Sequence, residues 1–390
     1  MSESRSAGRK PVVVDLFSGP GGLSLGFQNA GFILGVGVEL DSDAAQTYRA
    51  NFPHAKMIER NIQTVTGEAI LEALDRAYPD RERTIVVGGS PCQPFSGANM
   101  QRKGTDHPSA SAVDHYWRLV KEIAPDAFLF ENVVAFQTMG GGTSFLSLLE
   151  AVGEQGFLAS VSKLNAHDFE TPQHRRRLFI GAVKGATGFV LPNEHSPKVV
   201  TTRVPGNGVP IVSVRDAISD LPKLPRGGGG KDTNDYPEPN GKPLSSYQRA
   251  AREGSSGLFN HWSSRHSKPV RETISFIKPG FSLANSWSNL PDTVKARYEN
   301  KENVQSNVYR RLSWGSPSPT IVHPRRAMLL HPRQNRILSV REAARLQGFP
   351  DWFQFRGFLN SQYQQVANAV PPRLAEFLGR HYRQHLLQNS

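Results

Sequence analysis

The sequence predicts an α/β protein whose main domain is an open, doubly wound and mostly parallel sheet with helices on both faces. The first supporting observation is that short apolar runs alternate with helical patterns over about the first 180 residues. The second is that this alternation then gives way to a stretch rich in glycine, proline, serine and asparagine. That stretch predicts a separate, smaller and loop-rich domain.

The elements of the main domain follow from these patterns in order. Residues 12–17 read Val-Val-Val-Asp-Leu-Phe, a continuous apolar run of the kind that is typical of a buried parallel strand. After a glycine-rich turn, Leu23, Phe27 and Ala30 have helical spacing, and Gly31 ends that helix. The same patterns predict strands at 33–40, 85–87, 128–130 and 178–183 and a helix at about 43–51.

Regular structure is predicted to return near Arg310. Ser339 and Glu342 have the spacing of a capping box, which predicts a helix that Gly348 and Pro350 end. A last helix is predicted at about 372–387. The predicted organisation is a disordered tail at 1–10, a main domain at 11–185 completed by 358–390, and the smaller domain at 186–357.

Composition limits the classes of protein. The 46 Lys and Arg residues exceed the 34 Asp and Glu residues by 12, and this positive charge fits a polyanionic partner. One cysteine allows neither an intramolecular disulfide nor a Cys-rich zinc site, and the histidines lack metal-ligand spacing, so no metal site is predicted. No apolar run approaches about 18 residues, and no secretory signal is recognisable. We therefore expect a cytoplasmic protein without a membrane partner.

A glycine-rich turn is the first candidate site. Residues 17–22, Phe-Ser-Gly-Pro-Gly-Gly, join a parallel strand to a helix, where backbone N–H groups are free to bind a ligand. Glu39 ends the next predicted strand and is placed to bind ribose hydroxyls. The spacing is not G-x-G-x-x-G, which argues against NAD, and a tight turn without a ligand is the alternative.

Three further groups follow or precede strand ends. Cys92 lies on a Pro- and Gly-flanked loop after a strand; a lone cysteine is either a small buried residue or a nucleophile, and the shaped loop favours the nucleophile. Glu131 is either a surface charge or an acid that protonates a ring nitrogen. Arg175 and Arg177 are either part of a solvated basic edge or, if they lie in a strand, two guanidinium groups on one face.

Six segments, taken in order, resemble the motifs of the DNA cytosine-C5 methyltransferases of bacterial restriction–modification type. They are 15–22 (DLFSGPGG), 89–96 (GSPCQPFS), 131–133 (ENV), 173–177 (QHRRR), 341–350 (REAARLQGFP) and 365–372 (QVANAVPP). The resemblance spans about residues 12 to 375. It implies a Rossmann-like S-adenosylmethionine-dependent methyltransferase fold, with residues 186–357 as the target-recognition domain.

The resemblance also implies roles for individual residues. Cys92 would add to C6 of a cytosine flipped out of double-stranded DNA, Glu131 would act at N3, and Arg175 and Arg177 would hold the base carbonyl, the cysteine loop and nearby phosphate. Asn61 stands where the family usually has an acid that meets the adenine amine. The residues implied to bind S-adenosylmethionine are Phe17, Gly19, Gly21, Gly22, Glu39, Asn61, Ile62, Pro91, Asn368 and Val370.

Partners and alternatives complete the expectation. The resemblance implies a monomer with a cognate restriction endonuclease as a functional partner. An RNA (tRNA) cytosine-5 methyltransferase and a catalytically inert DNA-binding relative are the alternatives. The stretch at 185–306, about 120 residues long, favours a DNA reader, and the presence of Cys92, Glu131, Arg175 and Arg177 argues against an inert copy. A nicotinamide oxidoreductase would leave the Pro-Cys loop unexplained.

Overall fold

The computed structural model describes residues 10–91, 110–193, 211–226, 228–230, 236, 243–298 and 308–388. The chain divides into two compact units. The first comprises Met1–Asn165, Arg176–Val200 and Val370–Ser390, and the second comprises Ala166–Arg175 and Thr201–Ala369. Residues 166–175 and 358–369 thus belong to the second unit, although the sequence placed them in the main domain, and residues 186–193 belong to the first unit, although the sequence placed them in the smaller domain. Residues 1–9 of the predicted tail lie outside the described residues.

The first unit is built on a sheet whose described strands lie in the order β3-β2-β1-β4-β5-β7-β6. The strands β1 to β5 pair in parallel, whereas β7 is antiparallel to both β5 and β6. This mostly parallel sheet confirms the predicted fold class. The strands are β1 (Val12–Leu16), β2 (Ile33–Glu39), β3 (Lys56–Glu59), β4 (Thr84–Gly89), β5 (Ala127–Asn132), β6 (Ser160–Asn165) and β7 (Arg176–Val183).

Helices cover both faces of this sheet. The helices are α1 (Gly22–Asn29), α2 (Ser42–Asn51), α3 (Gly67–Ala77), α4 (Ala110–Ile123), α5 (Thr143–Glu154) and α13 (Pro372–Gln388). Side chains of α3, α4 and α5 share a buried cluster with Val86 and Ile180. Neighbouring residues of a strand face opposite sides of the sheet, so Gly181 lies on the face opposite that of Ile180. On that face Tyr382 of α13 packs against Gly181 and donates a 2.6 Å hydrogen bond to the Phe128 carbonyl.

Helices α1 and α13 approach each other closely at a glycine. A Cβ placed on Gly26 would lie 2.3 Å from the Cβ of Ala375 and 2.5 Å from the backbone nitrogen of Glu376. Since backbone atoms cannot move aside at low cost, only glycine fits at this crossing. The last described helix therefore completes the core of the first unit. Among the described helices, none is both long enough and apolar enough to cross a membrane.

The second unit consists of short helices, turns and a two-stranded ladder. Its strands are β8 (Gly229–Gly230) and β9 (Trp262–Ser263). Its helices are α6 (Val214–Ile218), α7 (Ser246–Arg252), α8 (Lys268–Ser275), α9 (Leu283–Ser286), α10 (Asp292–Lys295), α11 (Val340–Gln347) and α12 (Leu359–Asn368). The loop-rich character predicted for this part of the chain is confirmed.

Helix α11 forms the buried centre of the second unit. Its predicted capping box is present, since Ser339 and Glu342 bond each other's backbone N–H groups, and Gly348 ends the helix at φ +96°. Arg345 is fully buried and donates to both oxygens of Asp351, at 2.9 and 2.6 Å. Burial opposes the ionisation of Glu342, but two hydrogen bonds from Arg336 at 2.7 Å hold its pKa well below the usual range.

Candidate active site

The glycine-rich turn joins β1 to α1 with an unusual backbone. Phe17 has φ +56°, a conformation that a bulky residue rarely adopts, and Gly19 and Gly21 also have positive φ, at +55° and +100°. A Cβ on Gly19 would meet no atom of the described residues within 4 Å, so these residues leave open space beside this turn. Strain of this kind is found where the backbone is shaped for a ligand.

Glu39 fixes the turn from the end of β2. Its Oε2 accepts a hydrogen bond from Gly19 N at 2.8 Å, and its Oε1 accepts from Leu40 N at 2.9 Å and Asp41 N at 2.8 Å. Burial raises the pKa of Glu39, and these backbone donors oppose the rise. The carboxylate is thus held at the carboxyl edge of the sheet, directly against the turn.

Asp15 is a buried carboxyl group that the sequence did not single out as a site residue. Its Oδ2 accepts from Ser24 Oγ at 2.6 Å and from Ser24 N at 3.2 Å, and Ser24 Oγ lies 2.9 Å from Tyr48 OH. Burial raises the pKa of Asp15 to about 7. A carboxyl group inside an otherwise apolar strand was the available signal, because such a group requires hydrogen-bond partners.

Asn61 and Ile62 lie just beyond β3. The side-chain oxygen of Asn61 accepts from Gln63 N at 3.0 Å and so caps a short 3₁₀ turn, which begins at Ile62. Ile62 is buried, and Asn61 is exposed. A carbonyl oxygen has a second lone pair, so this cap leaves Asn61 able to accept one more hydrogen bond.

Glu131 and Arg177 meet at the carboxyl edge of the sheet. Arg177 Nε lies 3.0 Å from Glu131 Oε1, and both side chains are largely buried. The antiparallel direction of β7 explains the meeting, because the first residues of β7 lie beside the last residues of β5. Gly89 of β4 pairs with Glu131, and a Cβ there would lie 2.6 Å from Glu131 Oε2. Gly89 therefore leaves room for the carboxylate.

The end of β4 leads into the predicted nucleophile loop. Asn132 donates to Ser90 Oγ at 3.0 Å and accepts from Val133 N at 2.8 Å, so the ends of β4 and β5 are held together. Pro91 follows as an exposed residue. Cys92 lies outside the described residues, but its neighbour Pro91 brings the chain to the edge that carries Glu131 and Arg177.

Arg175 and Asn368 are associated within the second unit. Arg175 is buried, and its guanidinium donates to the carbonyl oxygens of Ala367 at 3.0 Å and Asn368 at 3.4 Å. Because β7 begins at Arg176, the strand alternation that would put Arg175 on the same face as Arg177 does not extend to Arg175. Val370, which is buried, begins the last segment of the first unit.

Arg311 is one cation of the smaller domain that cannot reach a ligand. It is buried, and its guanidinium donates to the carbonyl oxygens of Ile274, Ile277, His331 and Gln334 and to Asn335 Oδ1. This side chain holds the loops of the second unit together. Across the residues that the structure describes, no group of three or more His, Cys, Asp or Glu side chains could hold a metal ion.

The fold and the site define a Rossmann-like α/β protein of the methyltransferase type. A prophage-encoded E. coli protein assigned as a DNA modification methyltransferase superposes with a TM-score of 0.73 at 25% identity, covering 97% of this chain and all of that one. DNMT2 of Spodoptera frugiperda shares the fold, with a TM-score of 0.54 at 16% identity over 96% of this chain and all of that one.

Sequence comparison gives the family. The model of the C-5 cytosine-specific DNA methylases matches residues 12–384. Type II methyltransferase M.AgeI of Thalassovita gelatinovora is 33% identical over 93% of this chain and 96% of its own length; M1.HphI of Haemophilus parahaemolyticus is 32% identical over 93% and 84%. The chain belongs to the C-5 cytosine-specific DNA methylase family and is a DNA (cytosine-5-)-methyltransferase.

Proposed function

We propose that this enzyme methylates one cytosine at C5 within a short duplex DNA sequence and protects that sequence in a Type II restriction–modification system. The observation that carries the proposal is the Glu131–Arg177 pair at the sheet edge, next to the residues that lead into Cys92. The Type II names of M.AgeI and M1.HphI support the biological role. We also propose a cytoplasmic monomer whose restriction endonuclease is a functional partner.

The turn at 17–22 fits S-adenosylmethionine as the methyl donor. The open space beside Gly19 suits a bound ligand, and the Glu39 carboxylate is a hydrogen-bond acceptor suited to ribose hydroxyls. This cofactor, when bound, supplies an electrophilic methyl group. The residues of the first unit proposed to hold it are Phe17, Gly19, Gly21, Gly22, Glu39, Asn61, Ile62 and Pro91. The cofactor contacts expected of Asn368 and Val370 stay predictions.

The chemistry requires that C5 of cytosine be made nucleophilic. In the proposed mechanism the Cys92 thiolate adds to C6, which pushes electron density toward N3 and makes C5 enamine-like. Glu131 donates a proton at N3 and accepts from the exocyclic amine, and Arg177 orients that carboxyl group. Once C5 has accepted the methyl group that the cofactor would supply, a base removes the C5 proton, Cys92 leaves as the thiolate, Glu131 takes back the N3 proton and the aromatic ring is restored. The substrate contact expected of Arg175 stays a prediction.

The substrate must present an unstacked base. C5 and C6 are enclosed by neighbouring bases in a duplex, so the target cytosine has to be flipped out, at a cost of a few kcal/mol. Contacts between the protein and the flipped nucleotide are proposed to offset this cost. The formal charge of +12 favours the approach of the polyanion.

Bisulfite sequencing tests the proposal. DNA from cells that express the protein should contain one short motif whose cytosine resists conversion, and Cys92→Ser should abolish this protection while DNA binding persists, because a hydroxyl group at neutral pH does not add to C6. Glu131→Gln should lower kcat by about 10²- to 10⁴-fold. Glu150→Gln, an exposed carboxylate on α5, is the matched control and should leave kcat unchanged.

Two outcomes would contradict it. Substantial turnover by Cys92→Ser would overturn the role of the thiolate. If the wild-type protein protects no DNA sequence from conversion, DNA is not its substrate. The same assay on cellular RNA would then separate an RNA methyltransferase from an inert binder.

A further inference from the structure

A rigid turn in the second unit presents two arginines. Residues 322–328 form this turn, in which Ala327 N donates to the His323 carbonyl and Leu329 N to the Pro324 carbonyl, both at 2.9 Å. The His323 ring caps it from inside, with Nδ1 accepting from Arg326 N at 3.3 Å. His323 is buried, whereas Arg325 and Arg326 are exposed. The turn is thus a fixed support for two charged side chains.

Helix α12 orients one of these arginines. Arg325 Nη1 donates to Asn360 Oδ1 at 2.5 Å, at the start of α12. The same helix supports the turn through Tyr363, whose ring lies 6.0 Å from that of His323 and whose hydroxyl donates to the Leu338 carbonyl at 2.7 Å. The Arg325 guanidinium is therefore held in one orientation, which reduces the entropy lost when it binds a planar partner.

The surroundings of this turn are cationic. Burial lowers the pKa of His323, and the charges of Arg326 and Arg325 lower it further. The pKa of His266 is lowered by burial and by the charges of Arg325, Arg336 and Arg271. Among ion pairs between described residues, none includes Arg325 or Arg326. The positive charge on this surface is accordingly available to an external anion.

An exposed aromatic residue adjoins the same surface. Phe358, which precedes α12, has 85% of its surface exposed, the largest exposed fraction among the exposed large hydrophobic residues of the described chain. It stands two residues before Asn360, the partner of Arg325. A largely exposed aromatic ring near arginines that form no described ion pair is typical of a surface that a partner covers, and a polyanion with apolar sugars and bases fits both features.

We propose that the turn at 322–328 is a DNA-reading element, in which Arg325, oriented by Asn360, donates two hydrogen bonds to a guanine in the major groove, while Arg326 contacts a backbone phosphate. A guanidinium fork matches the O6 and N7 acceptors of guanine, whereas a phosphate contact carries no sequence information. This inference rests on the proposed function and deepens it, because it names how the enzyme selects its sequence.

The test compares substrates that differ at single base pairs. Once the wild-type sequence is known, kcat/KM is measured on duplexes with each base pair of that sequence replaced. Arg325→Ala and Arg325→Lys should each lose about 5- to 150-fold discrimination at one G·C pair, since lysine keeps the charge but not the fork. Asn360→Ala should lose part of the discrimination at that G·C pair. Asn360→Asp, which keeps the acceptor oxygen, should retain the discrimination of the wild type.

Arg326→Ala supplies the contrast within the same turn. It should weaken binding equally for all sequences and reduce the slope of log affinity against log salt by about 1. Arg380→Ala is the matched control, because Arg380 is an exposed arginine paired with Glu376 on α13, and it should change neither quantity. Thermal melting of every variant verifies that the fold is retained.

The outcomes separate this inference from the proposed function. If wild-type protein methylates one DNA motif and both Arg325 variants keep its discrimination at every position, the reading role of Arg325 is overturned while the proposed function stands. If Arg326→Ala changes sequence preference instead of uniform affinity, its assignment to phosphate is overturned. If the wild-type protein methylates none of the duplexes, the proposed function itself is overturned.

Discussion

At the scale of single residues, the site depends on contacts between strand ends. The sequence placed Glu39, Glu131 and Arg177 near strand ends, because a polar residue that follows or precedes an apolar run is visible in the sequence. It could not show which partners they have, since the antiparallel direction of β7 decides that Arg177 meets Glu131. Likewise, the bonds of Arg175 to α12 join residues that are 192 and 193 positions apart.

Asp15 gives a pH dependence that belongs to this scale. Its pKa is about 7 in the folded protein against 3.8 for the free side chain, so the folded state favours the protonated form. The contribution of Asp15 to stability is complete below about pH 4, and it is lost as the pH rises through about 7. Asp15→Asn, which cannot ionise, should therefore gain stability relative to the wild type over this range.

Urea denaturation at several pH values between 4 and 8 measures this difference. Asp80→Asn, in the turn that follows α3, is the control, because that carboxylate is exposed. Parallel stability profiles for wild type and Asp15→Asn would contradict the raised pKa.

At the scale of elements, apolar runs in the sequence were sufficient to predict the strands inside the sheet but not the strands at its edges. The strands β1, β4 and β5 are buried almost throughout, and the sequence predicted each of them. The strands β3 (Lys-Met-Ile-Glu) and β6 (Ser-Val-Ser-Lys-Leu-Asn) form the two edges, where polar residues interrupt the apolar run. Both were missed for that reason. Helix α11 was predicted because its capping residues are local in sequence.

Two helical glycines should respond oppositely to the same substitution. Gly26→Ala removes the flexibility of glycine, but its methyl group would overlap the α13 backbone, so we expect a loss of about 1–3 kcal/mol. At Gly153 of α5 a Cβ would meet no atom of the described residues within 4 Å, so Gly153→Ala should gain about 0.5–1 kcal/mol. Chemical denaturation measures both. Equal effects of the two substitutions would show that α1 and α13 do not pack closely.

At the scale of the whole molecule, charge and fold play different parts. The excess of 12 positive charges is evident from the composition and predicts a polyanionic partner. The composition does not indicate where on the protein that partner binds. The second unit shows why, since arginines such as Arg311, Arg336 and Arg345 are buried and structural. Counting cations in the sequence therefore overstates the number that can meet DNA.

Binding to duplex DNA should be strongly salt-dependent. With about six phosphate contacts, affinity should fall by about 10³-fold between 50 and 200 mM salt, because each neutralised phosphate releases counterions. Fluorescence anisotropy with a labelled duplex measures the slope, and melting curves over the same range serve as the control for stability. A flat response would mean that the net charge is not used on phosphate.

The position of α13 determines when the first unit can complete its fold. A ribosome produces residues 372–388 after all the other described elements of both units, yet Ala375 and Tyr382 complete the face that α1 covers. The core of the first unit is therefore not complete until this helix has been synthesised. A nascent chain that stalls before codon 372 thus exposes an open sheet face to chaperones and proteases.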